Sequence, residues 1–142
     1  MARGTAASRA GNSVVSAVEQ VCGMFGVPLF RMQSRTFMVP GANGSTRPMF
    51  MGEWTDHLGV KRRKGMADLL TMPSIETKSF GTVGPVKITV PLWIECKSGS
   101  GRMTQDQKDF KEFVEKAGAY HICAHDSADE VIEWFKARGV RR

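Results

Sequence analysis

The chain holds one compact set of side chains suited to catalysis. Glu95 and Lys97 stand two apart in Ile94-Glu95-Cys96-Lys97, and Asp68 stands upstream in Gly65-Met66-Ala67-Asp68. In a strand, side chains two apart share a face. Glu95 and Lys97 therefore point one way, and Ile94 and Cys96 the other. Two carboxylates are hard oxygen donors of the kind Mg²⁺ accepts, and the main-chain carbonyl of Cys96 adds a third oxygen. Lys97 can orient or activate a water, or stabilise a pentavalent phosphate. Uncatalysed phosphodiester hydrolysis is so slow that a site must lower the barrier by up to ~20 kcal/mol. A divalent metal can supply the polarisation and charge neutralisation this requires. The set points to hydrolysis of a nucleic-acid backbone, with Mg²⁺ or Mn²⁺ as cofactor and no small-molecule organic cofactor.

These residues need strands and a helix to hold them. Val86 to Lys97 alternates as a strand, with Pro91 marking a bulge or an interruption. Met66 to Met72 is a short apolar strand broken by Asp68. Ser98 to Gly101 turns the chain. Thr104 then caps a helix from Gln105 to Lys116, with Gln107 completing a capping box and Gly118 as the stop. Ala119 to Ala124 is a further strand, and Ser127 caps a last helix through Ala137. Toward the N-terminus, residues 1–11 are small and polar and read as a flexible arm. A helix follows from about Asn12 to Met24, with Val14, Val18, Val21 and Phe25 at helical spacing and Gly26 and Pro28 ending it. Leu29 to Val39 reads as extended, Pro40 to Pro48 as a loop, Met49 to Lys64 as irregular, and Pro73 to Pro85 as a hairpin-like excursion.

A chain of 142 residues is one domain by size. Its net charge of +6 favours a polyanionic partner. The run Lys61-Arg62-Arg63-Lys64, just before Asp68, is placed to meet DNA phosphates. Trp54, Arg31 and Arg102 are further candidates for DNA contact, with Arg35 and Arg47 near the Gly-rich loop in reserve. Three scattered cysteines without a CxxC read as reduced thiols in a cytoplasmic protein. No apolar run approaches the ~20 residues of a membrane span, so no membrane partner is expected.

Three motifs follow in order: Gly65-x-x-Asp68, Glu95-x-Lys97, and Gly101-Arg102-Met103-Thr104-Gln105-Asp106-Gln107 opening a helix. From about Asn12 to Gly139 this order resembles the VRR-NUC family, a branch of the PD-(D/E)XK nuclease superfamily. That family includes the nuclease domain of a eukaryotic interstrand-crosslink repair enzyme and small stand-alone nucleases, many of them phage-encoded. The resemblance implies an α/β (α+β) restriction-endonuclease-like fold over residues 12–142. Its central mixed β-sheet would be flanked by helices in α-β-β-β-α-β-α order. It also implies a metal-dependent DNA endonuclease with Asp68, Glu95 and the Cys96 carbonyl on the metal, and Lys97 and Gln107 in catalysis. Glu19 matches a Glu of the family's first helix and would act as a catalytic residue, on a second metal or through water. Ala67 departs from the family, which usually has Pro there, but no ligand is lost. The implied substrate is branched DNA, such as Holliday junctions or flaps, cut by a homodimer during replication, recombination or repair. The alternative is a catalytically inactive basic nucleic-acid-binding module of the same fold. Retention of Asp68, Glu95 and Lys97 together favours the enzyme.

Overall fold

A computed structural model describes residues 6–32, 35–78 and 84–141. In chain order its helices are α1 (Ala6–Met24), α2 (Gln105–Lys116) and α3 (Asp129–Ala137). Its strands are β1 (Leu29–Arg31), β2 (Arg35–Pro40), β3 (Thr46–Met51), β4 (Trp54–Thr55), β5 (Lys61–Arg62), β6 (Leu69–Thr71), β7 (Ser74–Thr77), β8 (Val86–Thr89), β9 (Leu92–Lys97) and β10 (Tyr120–His125). The fold is mixed α and β. Its centre is a four-stranded mixed sheet in the order β1-β6-β9-β10, with β9 and β10 parallel and the other pairs antiparallel.

One face of this sheet is apolar. Leu69, Leu92, Ile94, Cys96 and Ala124 point to it and meet Val14, Val18, Val21 and Cys22 of α1 and Val131, Trp134 and Phe135 of α3. Fully burying a Leu, Ile or Val side chain contributes about 1.5–3 kcal/mol, so this layer is the main source of stability. Thr71 is buried here too, and its hydroxyl donates to the Pro28 carbonyl at 2.7 Å. The opposite face meets α2 in a smaller cluster of Trp54, Ala67, Phe110 and Val114, with Trp93 and Phe113 packed against it. Aromatic rings meet edge to face there, Trp93 on Phe110 at 5.0 Å and Trp54 on Phe110 at 5.2 Å.

The strands β6 and β7 form one antiparallel ribbon with β9 and β8, and the register runs through unchanged from Leu69–Ile94 to Thr77–Val86. Pro73 and Pro91 break the ladder between the two parts because neither has an N–H to give. The bulge or interruption expected at Pro91 is an interruption: in this register Met72 stands opposite Pro91 and Val90 opposite Pro73, and the Val90 amide donates to the Pro73 carbonyl at 3.0 Å across the gap.

Several elements differ from the sequence reading. The first helix begins at Ala6 rather than near Asn12, so residues 6–11 are helical; three alanines among them favour this. The remainder of the expected arm, residues 1–5, lies outside the described residues. Met49 to Lys64 is not irregular, since it holds the end of β3 and the short β4–β5 hairpin. Of the loop expected from Pro40 to Pro48, only residues 41–45 turn the chain, at the tip of the β2–β3 hairpin, while Pro40 and residues 46–48 are paired in its strands; residues 79–83 of the expected excursion lie outside the described set. The last helix starts at Asp129 with Ala128, not Ser127, at its N-cap, although the Ser127 hydroxyl accepts from the Asp129 amide at 3.2 Å. Among the described residues no helix is long and apolar enough to cross a membrane.

Candidate active site

Asp68 immediately precedes β6, and Glu95 and Lys97 end β9. Leu69 pairs with Ile94 in the antiparallel ladder, so Asp68 comes opposite Glu95. Both lie on the face covered by α2. The β6 ladder stops at this point, and a side chain takes its place: the Cys96 amide donates to Asp68 Oδ2 at 2.8 Å. One carboxylate is thus fixed by the main chain of the strand that carries the other.

The first turn of α2 closes the cluster. Gln107 lies three residues beyond the N-cap Thr104 and completes the capping box. Its Oε1 accepts from the Thr104 amide and from Lys97 Nζ, both at 2.9 Å. Its Nε2 donates to Glu95 Oε1 at 2.5 Å. Lys97 Nζ is also 2.9 Å from Glu95 Oε1. The amide that caps the helix therefore binds both the acid and the lysine. Gly65 allows α2 to approach this closely. Its φ is +90°, and a Cβ there would stand 2.1 Å from the Asp106 carbonyl oxygen, an approach only glycine permits.

The electrostatics are those of an acid pair short of positive charge. Glu95 is 2% exposed. Burial pushes its carboxyl up to about 7, the Asp68 charge pushes the same way, and the Lys97 contact opposes both. Burial also raises Asp68, against the Cys96 amide and Lys97, which lower it. Glu95 Oε2 is buried with no hydrogen-bond partner, an expensive state for a carboxylate oxygen. These features fit a divalent cation held by Asp68, Glu95 and the Cys96 carbonyl. Among the described residues no group of three or more His, Cys, Asp and Glu side chains could hold a metal. A cation here would rely on two carboxylates, a carbonyl and water, a donor set typical of Mg²⁺.

The other expected site residues are placed differently. Glu19, on α1, binds Arg31 of β1 through two contacts of 2.6 and 2.9 Å, and this pairing lowers its carboxyl. Arg31 pairs with Leu69 and shares its face. The Glu19–Arg31 pair is therefore on the α1 side of the sheet, opposite Asp68 and Glu95, although at the same edge: the Met32 amide donates to the Asp68 carbonyl at 2.8 Å. Trp54, expected at the DNA surface, is instead a core residue. It is 7% exposed, and its indole N–H donates to the Lys64 carbonyl at 2.8 Å.

Within the basic run, Arg62 reaches Asp109 of α2 at 2.5 Å and Asp56 at 3.7 Å. Arg63 meets Glu53 at 3.2 Å. Lys61, Lys64 and Arg102 are exposed. A cleft of about 220 Å³ between the β4–β5 hairpin and α2 is lined by Trp54, His57, Leu58, Arg62, Asp109 and Lys116 among others, and by none of the catalytic candidates.

Sequence reasoning missed the Asp68–Cys96 bond and the second tether of Gln107, since both depend on register between distant segments. The capping box was the one local signal that pointed to Gln107. Comparison with protein-family models, curated proteins and solved structures gave no match for this chain.

Proposed function

We propose that the protein is a metal-dependent DNA endonuclease built on a restriction-endonuclease-like fold. The observation that carries this reading is the buried, unpartnered Glu95 Oε2 opposite Asp68, with Lys97 beside it. A carboxylate pair raised by burial, with Glu95 raised further by the Asp68 charge, costs stability, and a structural salt bridge would not leave one oxygen bare.

Asp68 and Glu95 would hold Mg²⁺ or Mn²⁺ together with the Cys96 carbonyl. The bound metal would polarise the phosphodiester and ease deprotonation of the attacking water. Lys97 brings a positive charge to the same spot and either orients that water or stabilises charge on the phosphate. Gln107 holds Glu95 and Lys97 in a fixed relation, so neither must be ordered during the reaction. Exposed Lys61, Lys64 and Arg102 would hold flanking phosphates. The substrate class we favour is branched DNA, cut by a homodimer in which each copy supplies one site.

The test is conversion of supercoiled plasmid to nicked circle by purified protein with Mg²⁺ or Mn²⁺, with EDTA and Asp68→Ala as controls. Nicking that needs metal and Asp68 supports the proposal. Cleavage by Asp68→Ala at the wild-type rate, or in EDTA, sinks it.

A further inference from the structure

The β2–β3 hairpin has no role in the cluster just described. Its strands pair from Arg35–Met51 to Pro40–Thr46, and they pack chiefly on each other. A two-stranded ribbon gains little stability alone, so one that extends from a domain needs another explanation. Its tip is well held. The Gly41 amide donates to the Ser45 carbonyl at 2.7 Å, the Ser45 hydroxyl donates to the Ala42 carbonyl at 2.8 Å, and Asn43 takes a left-handed φ of 59°.

Composition narrows the partner. From Gln20 to Gly52 the chain has no Asp or Glu, and it carries Arg31, Arg35 and Arg47. Met38 and Met49 are 62% and 46% exposed. Met38 is paired with Pro48, and Val39 with Arg47. Of these arginines, Arg35 and Arg47 belong to the ribbon, which thus combines cationic charge with large apolar side chains in water, a pairing that suits a polyanion with apolar surface. Strand addition to a second copy fits less well, because Pro40 and Pro48 remove N–H donors from the ribbon's edges. The ribbon is also rooted beside the site, since β1, which leads into it, ends where Met32 binds the Asp68 carbonyl.

We propose that the β2–β3 hairpin docks on DNA at exposed base faces, with Met38 on one face of the ribbon and Met49 on the other against the unstacked bases on either side, and with Arg47, on the Met49 face, on a phosphate. In a continuous duplex, base faces are hidden and apolar side chains reach them only by unstacking a step. A branch point, flap or gap offers those faces without that cost. The hairpin therefore supplies a preference for DNA structure rather than sequence. This rests on the nuclease reading for its partner but not on cleavage.

The experiment measures affinity in EDTA for a four-way junction and for linear duplex of the same sequence. It compares wild type, Met38→Ser with Met49→Ser, and Arg47→Ser. The substituted side chains are exposed, and unchanged thermal unfolding checks the fold. The methionine pair should weaken junction binding about fivefold or more, the low end for loss of base stacking, and leave duplex binding within about twofold. Arg47→Ser should weaken both DNAs equally and flatten the slope of log affinity against log salt by about 0.9.

Variants that bind both DNAs like wild type overturn the hairpin proposal, and plasmid nicking then decides separately whether the nuclease reading stands. A methionine variant that binds both DNAs like wild type but sediments as a smaller species identifies the ribbon as a contact between copies and also overturns it. Absence of any DNA binding by wild type overturns both readings.

Discussion

The two faces of the four-stranded sheet are made from the same strands and serve opposite ends. On the α1–α3 face, Leu69, Ile94 and Cys96 alternate with the site residues and are buried among apolar side chains. On the α2 face, their neighbours Asp68, Glu95 and Lys97 are partly or wholly buried as charged groups. Strand alternation thus puts stabilising and destabilising residues one bond apart in the chain. Burial strengthens the first face, and on the second it raises both carboxyls. The fold can carry a strained acid pair because the stability of the sheet comes from its other side.

The sharpest way to break this contrast is to exchange the effects. Lys97→Ala should slow cleavage by more than about 10³-fold, ~4 kcal/mol of barrier, with a change in unfolding free energy under about 1 kcal/mol. Ile94→Ala, three residues away on the other face, should cost about 2–5 kcal/mol of stability and leave the rate per folded molecule nearly unchanged. Plasmid nicking beside denaturant unfolding reads both. Equal losses in both assays for both variants would erase the distinction.

A finer test uses pH. The Glu95 carboxyl stands at about 7 in the folded protein against 4.5 ordinarily. The folded state therefore holds a proton the unfolded state has lost, and this group lowers stability as pH rises from 4.5 to 7. His121, on the same face, is buried with both ring nitrogens unpartnered, and burial lowers it to about 4, with Lys111 acting the same way. Its stabilising contribution is present above pH 6.5 and is lost as pH falls toward 4, the opposite slope in an overlapping window. Glu95→Gln should remove the first slope alone. Without metal it should gain on wild type from pH 4.5 upward, reaching on the order of 2–3 kcal/mol near pH 8. Urea titrations in EDTA across that range decide it, and parallel curves would mean that Glu95 is not strained.

On the surface, the arginines of the basic run are engaged by Asp109, Asp56 and Glu53, so on the proposed function phosphate contact would fall to the lysines. Lys61→Ser with Lys64→Ser should flatten the salt slope of duplex binding by about 1.8. Arg62→Ser should instead loosen the β4–β5 hairpin from α2, seen as a lower unfolding temperature. The smallest effect is expected at Glu19. Because it binds Arg31 on the far face, Glu19→Gln should slow cleavage by less than about threefold. A tenfold loss would bring Glu19 into the site after all.

What could be read from the sequence was local. Thr104 and Gln107 are three residues apart, and a capping box is decided within one turn. The alternation of β9 and the block at Pro91 are likewise properties of a few adjacent residues. Trp54 was misread because nothing near it in the chain shows that Phe110 and Phe113, more than fifty residues on, will cover it. The pairing of Glu19 was hidden for the same reason, since its partner Arg31 belongs to another element. The paired carboxylates were legible as types, whereas their opposition depended on the register of Leu69 with Ile94.

The double duty of the Gln107 amide has a dynamic consequence. Helix ends normally fray on their own, at little cost to the rest of a protein. Here the first turn of α2 cannot open without releasing Glu95 and Lys97, and those two cannot rearrange without uncapping the helix. Amide hydrogen exchange at Gln107 and Lys108 would then slow when a cation occupies the carboxylates. The start of the helix would act as a built-in gauge of whether the site is filled.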